Sequence, residues 1–252
     1  VLTRLRAVWR LARVVAHGLH GLALVLVRFP GLDAPARHAR IQWWSRGVFA
    51  CLGMALHVQG AWRAGAKLVV ANHISWLDIM AIHATCPQAR FVSKADVQRW
   101  PLVGRLVDSA GTLYIQREHK RDALRVVHQA AEALRGGDTV AVFPEGTTSD
   151  GERLLPFHAN LLQAAVATAT PVQPVALRYA DAVHAASPAA RFVGETTLAQ
   201  SLWALACADR LAVHVSILSA QATAHADRRA LAAHLREGIA QALEPGLGKD
   251  PR

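Results

Sequence analysis

Short, nearly continuous apolar runs alternate along this chain with stretches of helical periodicity. Segments 67–71 (KLVVA), 90–93 (RFVS), 111–115 (GTLYI), 139–143 (TVAVF), 172–177 (VQPVAL) and 212–218 have the length and branched-residue content of strands. Segments 76–86, 100–109, 120–135, 160–168 and 226–243 read as helices. In 120–135, Leu124, Val127, Ala131 and Leu134 recur at spacings of three and four, and Gly136-Gly137 stops the run. Strands this apolar fit a sheet covered on both faces. Their alternation with helices predicts an α/β fold, a mixed and largely parallel sheet flanked by helices.

The hydrophobic content of 52% excludes a disordered chain, and 252 residues can bury a sizeable core. Only 17 Gly and 11 Pro exclude a collagen-like chain. Cys51, Cys86 and Cys207 stand far apart with no CxxC, which argues against a disulfide framework or a cysteine zinc site. They read as small buried side chains.

Charge is concentrated at one end. Residues 1–50 hold eight arginines against the single acid Asp33, a net +7 of the chain's +10. The same region contains an apolar run over 14–27, with LALVLV at 22–27. As a helix it rises about 21 Å, short of the ~30 Å hydrocarbon core of a bilayer. It is long for a secretory h-region, and Arg28-Phe29-Pro30 follows it rather than a small-residue cleavage site. A second helical segment over 36–57 carries Trp43, Trp44 and Arg46. The predicted organisation is therefore membrane-anchoring helices over 1–57, a body over 58–245 and a tail over 246–252. Arginines flanking an apolar run, with Trp at its margins, suit an interfacial or half-inserted anchor on an anionic membrane surface. Each basic residue there contributes about 1 kcal/mol of attraction. The other reading is a soluble helical hairpin packed on the body. Nucleic-acid binding is not expected, because it calls for basic residues interleaved with exposed aromatics across a groove.

The most informative local pattern is Asn72-His73-Ile74-Ser75-Trp76-Leu77-Asp78, directly after the strand KLVVA. If both were inside one helix, His73 and Asp78 would point about 140° apart. With Ser75 as N-cap, His73 lies in the loop before the helix and Asp78 falls at N3, and the two side chains can converge. Two readings follow. Ser75-x-x-Asp78 is a capping box, and Asp78 only starts a helix. Alternatively, Asp78 orients His73, which takes a proton from an attacking hydroxyl. A G-x-S-x-G elbow is absent, so in the second reading the hydroxyl belongs to a substrate.

Three further segments sit at strand ends. Phe143-Pro144-Glu145-Gly146-Thr147-Thr148-Ser149 is either a plain turn or a loop whose amides face an anion and whose carboxylate meets a polyol. Arg117, after GTLYI, is either a surface residue or a bidentate phosphate clamp. PVQPVAL at 171–177 reads alone as a core strand.

Taken in order, NHxxxxD, GxxxIxR, FPEGT and PVxPVAL resemble the glycerolipid acyltransferases, the bacterial 1-acylglycerol-3-phosphate acyltransferases and their relatives. The match covers about 66–180, with FVSK at 91–94 and Trp100-Pro101 through Gly104 between the motifs. The resemblance implies His73 as general base, Asp78 as its orienting acid, and Arg117, Glu145, Gly146 and Thr147 as acceptor-binding positions. Lys94 would lie near the acceptor or the developing oxyanion. It implies acyl-CoA or acyl-acyl carrier protein as co-substrate, a lyso-lipid as acceptor, no metal and no cofactor. It also implies attachment to the cytoplasmic face of the bacterial inner membrane, monotopic or through one N-terminal anchor. An apolar groove is expected for the acyl chain.

One position departs from the pattern. Phospholipid-making members commonly read EGTR-S, whereas this chain reads EGTTS, with Thr148 in place of the guanidinium. Branches with EGTTS resemble enzymes that acylate other lyso-lipids, lyso-ornithine lipid among them. Either Arg117 or Arg178 carries the acceptor's phosphate here, or the acceptor has none. Retention of Arg117 puts 1-acyl-sn-glycerol-3-phosphate first, giving phosphatidic acid, with a phosphate-free lyso-lipid as the alternative. A thioester hydrolase, using water in place of the lipid hydroxyl, is the rival enzyme. A non-catalytic membrane-binding module is the rival from another class; it predicts that His73→Ala changes nothing.

Overall fold

A computed structural model describes residues 2–94, 103–115 and 120–244. Its centre is a seven-stranded sheet built from β1 (Ala55–Gln59), β2 (Lys67–Ala71), β3 (Ala89–Lys94), β4 (Leu113–Ile115), β5 (Thr139–Val142), β6 (Val172–Ala180) and β7 (Ala212–Ile217). The spatial order is β1-β7-β6-β2-β5-β3-β4. Among the described residues every neighbouring pair is parallel except β6 with β7. The mixed, largely parallel sheet flanked by helices is as the sequence predicts.

Apolar strands need cover on both faces, and the helices supply it. Val69, Ala71, Val175, Leu177 and Tyr179 face one core with α2 (Ala34–Leu52), α3 (Leu77–His83) and α7 (Leu198–Cys207). Leu68, Val70, Val140, Val142 and Val172 face the other with α5 (Lys120–Arg135), α6 (Leu162–Ala167) and α8 (Arg228–Leu243). Each fully buried Val or Leu contributes about 1.5–3 kcal/mol. The remaining helices are α1 (Leu2–Ala23) and α4 (Val103–Ser109). Because β2, β5 and β3 run parallel, the loops after them emerge along one edge.

The helix predicted over 36–57 is corrected at its C-terminal end. It stops at Leu52, where Gly53 adopts a left-handed φ of 68° and its N–H bonds Ala50 O and Phe49 O. Residues 55–57 belong instead to β1. That strand is mostly exposed, so no apolar periodicity marks it, and it exists by pairing with β7. The sequence reading also lacked α7, although Thr197 and Gln200 form a capping box at its start.

The N-terminal run is longer than the apolar residues alone suggest. α1 continues through a π-helical turn (Leu24–Arg28) and a 3-10 turn (Phe29–Gly31). The 30-residue stretch Leu2–Gly31 is long and apolar enough to cross a membrane by length and composition. Arginine is a good helix former, so Arg4, Arg6, Arg10 and Arg13 extend the helix beyond the run that hydropathy delimits. α1 is also docked on the body. Arg10 Nη1 donates to Ala206 O at 3.0 Å and Ala208 O at 2.7 Å, and Arg6 pairs with Asp209 at 2.7 Å. His17 Nε2 donates to Trp44 O at 2.8 Å, and Trp44 Nε1 to His17 O at 3.0 Å. Yet Leu5, Val8, Trp9, Leu19 and Val27 remain exposed. The helical pair thus combines the packing of a hairpin with an exposed apolar face.

At the end of α3 the buried His83 donates through Nε2 to Ala89 O, the first residue of β3, at 2.9 Å. Burial lowers its pKa to about 4.

Candidate active site

Asn72 extends β2 by side-chain pairing. Its Nδ2 donates to Leu177 O at 2.9 Å, and its Oδ1 accepts from Leu177 N at 2.7 Å. This double bond to β6 fixes where the chain leaves the sheet. The next residue, His73, places Nδ1 2.7 Å from Asp78 Oδ2. That oxygen also accepts from Ile74 N at 2.7 Å and Ser75 N at 2.9 Å, while Oδ1 accepts from the Tyr179 hydroxyl at 2.7 Å. Asp78 is fully buried, and four donors compensate its desolvation. A carboxylate only accepts, so Nδ1 carries the proton and Nε2 presents its lone pair. Among the described residues Nε2 has no hydrogen-bond partner.

The capping geometry needs one correction. Trp76, not Ser75, is the N-cap, so Asp78 is the second residue of α3 rather than N3. Among the described residues the Ser75 hydroxyl has no partner. Asp78 nevertheless takes the amides of Ile74 and Ser75. One carboxylate therefore both starts the helix and holds the imidazole, and the two readings are not exclusive.

The loop after β5 clamps the backbone of His73. Glu145 Oε1 accepts from His73 N at 2.7 Å, and Ser149 donates to His73 O through its N at 2.7 Å and its Oγ at 3.1 Å. Glu145 Oε2 accepts from Leu155 N at 2.9 Å. Burial pushes the Glu145 carboxyl pKa up, against the opposite pull of these two N–H donors. The Phe143 ring lies under the imidazole, with centroids 4.0 Å apart and planes 7° from parallel. Gly146 has φ of 73°, and a Cβ there would sit 3.3 Å from the His158 ring, so glycine suits this turn. Thr147 is exposed. Thr148 Oγ1 donates to Phe192 O, and Phe192 N donates to Ile74 O at 3.1 Å. Beyond Phe192 lies a cavity of about 580 Å³ lined by Arg191, Val193, Glu195, Gln200 and Ser201. Trp76 Nε1 donates to Ser201 Oγ at 3.1 Å, which ties this wall to α3.

The structure thus brings His73, Asp78, Glu145, Gly146, Thr147 and Thr148 to one edge of the sheet. Lys94 ends β3 at the same edge, in register with Ile115. Arg117 lies outside the described residues. Arg178 does not join the group. It alternates with Leu177 and Tyr179 along β6, which places it on the other face of the sheet, paired in register with His214. Sequence reasoning missed Asn72, Ser149 and Tyr179 as site residues. Tyr179 carried a signal: it shares the period-two face of Val175 and Leu177, and a buried hydroxyl needs a partner. Burial, then the Asp78 charge, raises its pKa well above the ordinary value, which keeps the hydroxyl a donor.

Residues 56–178 match the family model described as Acyltransferase. Over 249 residues the chain is 38% identical to a lyso-ornithine lipid O-acyltransferase of Pseudomonas aeruginosa, covering 96% of this chain and 95% of that protein. This chain belongs to the acyltransferase family. The acyltransferase is also 37% identical over 199 residues to a 1-acyl-sn-glycerol-3-phosphate acyltransferase of Neisseria meningitidis, covering 77% and 76% of the two chains. Its fold is shared with the crystal structure of the 1-acyl-sn-glycerophosphate (LPA) acyltransferase PlsC of Thermotoga maritima. The TM-score is 0.74 at 21% identity, over 98% of each chain.

Proposed function

We propose that this acyltransferase moves a fatty acyl group from a thioester to the free hydroxyl of a lyso-lipid, with His73 as general base. The observation that carries the reading is the 2.7 Å contact between His73 Nδ1 and the buried Asp78, which leaves Nε2 without a partner among the described residues at the sheet edge. In this mechanism Nε2 takes the hydroxyl proton as the oxygen attacks the thioester carbonyl. The tetrahedral oxyanion then collapses, the carbon–sulfur bond breaks, and the departing thiolate receives the proton from Nε2. Asp78 stabilises the intervening imidazolium. General-base catalysis contributes about 10²–10⁴-fold, and the rest falls to positioning and oxyanion stabilisation. The oxyanion is assigned to backbone amides and Lys94, and the acceptor to Arg117, Gly146 and Thr147. Glu145 acts as a positioning residue, because both its oxygens hold backbone amides of the site. The donor is acyl-CoA or acyl-acyl carrier protein, and the reaction needs no metal or other cofactor. The exposed apolar positions and arginines of α1 support attachment to the cytoplasmic face of the inner membrane.

Lyso-ornithine lipid is the acceptor this reading favours. Thr148 is uncharged, and its hydroxyl is spent on Phe192. Glu195 and Arg191, the latter also paired with Glu152 at 2.5 Å, give the neighbouring cavity both signs of charge, which suits a head group bearing a carboxylate and an ammonium. The relative matched over nearly the whole chain is named for that substrate. The second reading is 1-acyl-sn-glycerol-3-phosphate, supported by Arg117 and by the Neisseria relative. The test offers one labelled acyl donor to lyso-ornithine lipid, to 1-acyl-sn-glycerol-3-phosphate and to no acceptor. The expected product is labelled diacyl lipid, formed faster from the first. Fatty acid released equally fast without acceptor would identify a hydrolase and refute transfer.

A further inference from the structure

At the opposite end of the sheet from His73, the starts of β2, β3 and β5 border a cavity of about 540 Å³. Lys67 opens β2 and His73 follows its end, on the order of 20 Å apart along extended chain. The cavity is therefore separate from the acyl-transfer site.

Its charge is unbalanced. Arg37 of α2, Arg63, Lys67 and Arg90 line it, and among the described residues Asp138 is the one carboxylate in the lining. Asp138 is already taken by Arg90, whose Nη1 lies 2.5 Å from Oδ2 and whose Nε donates to Gly111 O at 2.9 Å. Among the described residues the other three cations meet only neutral oxygens. Arg37 Nε donates to Phe29 O at 3.1 Å, and Arg63 Nη1 to Ala64 O at 3.0 Å. Lys67 Nζ donates to Gly65 O at 2.9 Å and Thr139 Oγ1 at 3.2 Å. Among the described residues none of the three has a carboxylate within 4 Å. Lys67 is 2% exposed, so among the described residues a buried cation stands without a counter-ion. Desolvation lowers its pKa; Cys86 opposes this, and the Arg63 charge adds to it. A buried charge is costly unless it is paired, and a neutral residue would serve the first rung of the β2–β5 ladder equally well.

We propose that this cavity binds the phosphate group of an anionic ligand through Arg37, Arg63 and Lys67. Two guanidinium forks and an ammonium match the several oxygens and double charge of a phosphate better than a single carboxylate. The volume exceeds that of a bare phosphate ion, leaving room for an organic part against Ala34, Ile41 and Pro87. A soluble phosphorylated compound and a lipid head group share this chemistry. Arg37 also holds Phe29 at the hairpin turn, next to the exposed Leu26 and Val27, which brings the site close to the apolar surface.

The test is calorimetric titration of the full chain in neutral detergent micelles at constant ionic strength. The probes are inorganic phosphate, dihexanoylphosphatidic acid and, as a control without phosphate, dihexanoylglycerol. One equivalent of a phosphate probe should bind, and Arg63→Ala and Arg37→Ala should each weaken it about tenfold or more. Arg229→Ala, an equal charge change on the exposed face of α8, should leave binding intact. Lys67→Met should abolish binding, and the exposed Arg63 keeps the test valid if that buried variant misfolds. Equal binding of both phosphate probes supports the site and assigns a soluble ligand. Binding of the phosphatidic acid alone, weakened in Arg37→Ala and Arg63→Ala, supports it and assigns a lipid. Absence of binding by either, or affinity unchanged in both arginine variants, overturns the proposal.

Discussion

Asp78→Asn separates the two tasks that one carboxylate performs. Asparagine keeps one acceptor oxygen and turns the other into an NH₂ donor. Three of the four donors converge on Oδ2: the His73 imidazole and the amides of Ile74 and Ser75. An asparagine with its oxygen at that position keeps all three, and its NH₂ then faces the Tyr179 hydroxyl, which can accept as well as donate. The folding cost is then the difference between charged and neutral hydrogen bonds, about 1–2 kcal/mol, or a fall in Tm of a few degrees. Catalysis loses more, because the imidazolium formed as the hydroxyl is deprotonated no longer faces a negative charge. Two unit charges about 4 Å apart at an effective dielectric of about 20 attract by about 4 kcal/mol, nearly three powers of ten in rate. Asp78→Ala would instead leave four donors, three of them buried, without an acceptor at about 1–3 kcal/mol for each buried one, comparable with the whole stability of a domain. We therefore expect Asp78→Asn to fold and to lose about 10²–10³-fold in kcat, and Asp78→Ala to fail to fold. Labelled acyl transfer and circular-dichroism melting measure both quantities. A folded asparagine variant within tenfold of the parental kcat would refute the use of this charge and leave Asp78 as a helix cap.

Two other expectations follow from particular side chains. The neutral, buried His83 binds a proton at about pH 4 in the folded chain and near 6.5 when unfolded, so between these values the unfolded state takes up more protons. Stability should be full above pH 6.5 and fall by roughly 3 kcal/mol as pH drops through 4. Urea unfolding at several pH values measures this, and an equally steep loss in His83→Gln would remove His83 as its source. Thr148→Arg gives up the bond to Phe192 and adds a guanidinium at the acceptor loop. The ratio of kcat/KM for 1-acyl-sn-glycerol-3-phosphate over that for lyso-ornithine lipid should rise about tenfold or more. An unchanged ratio in the two-acceptor assay would dissociate Thr148 from head-group choice.

Local chemistry wrote much of this molecule into neighbouring residues. The apolar runs of β2, β5 and β6 announced a covered parallel sheet, because such strands fit nowhere else. His73 and Asp78 stand five residues apart across one strand-to-helix turn, so spacing allowed them to meet while leaving the capping box equally open. β1 was not, since it is exposed and owes its conformation to β7, more than 150 residues further along the chain. Nor could spacing reveal that Tyr179 completes the Asp78 shell, or that Glu145 and Ser149 grip the backbone of His73. Those contacts exist only once the order β6-β2-β5 sets three strand ends side by side. Periodicity records which face of an element is buried. The partner that a buried polar group meets is decided by the packing of elements distant in sequence.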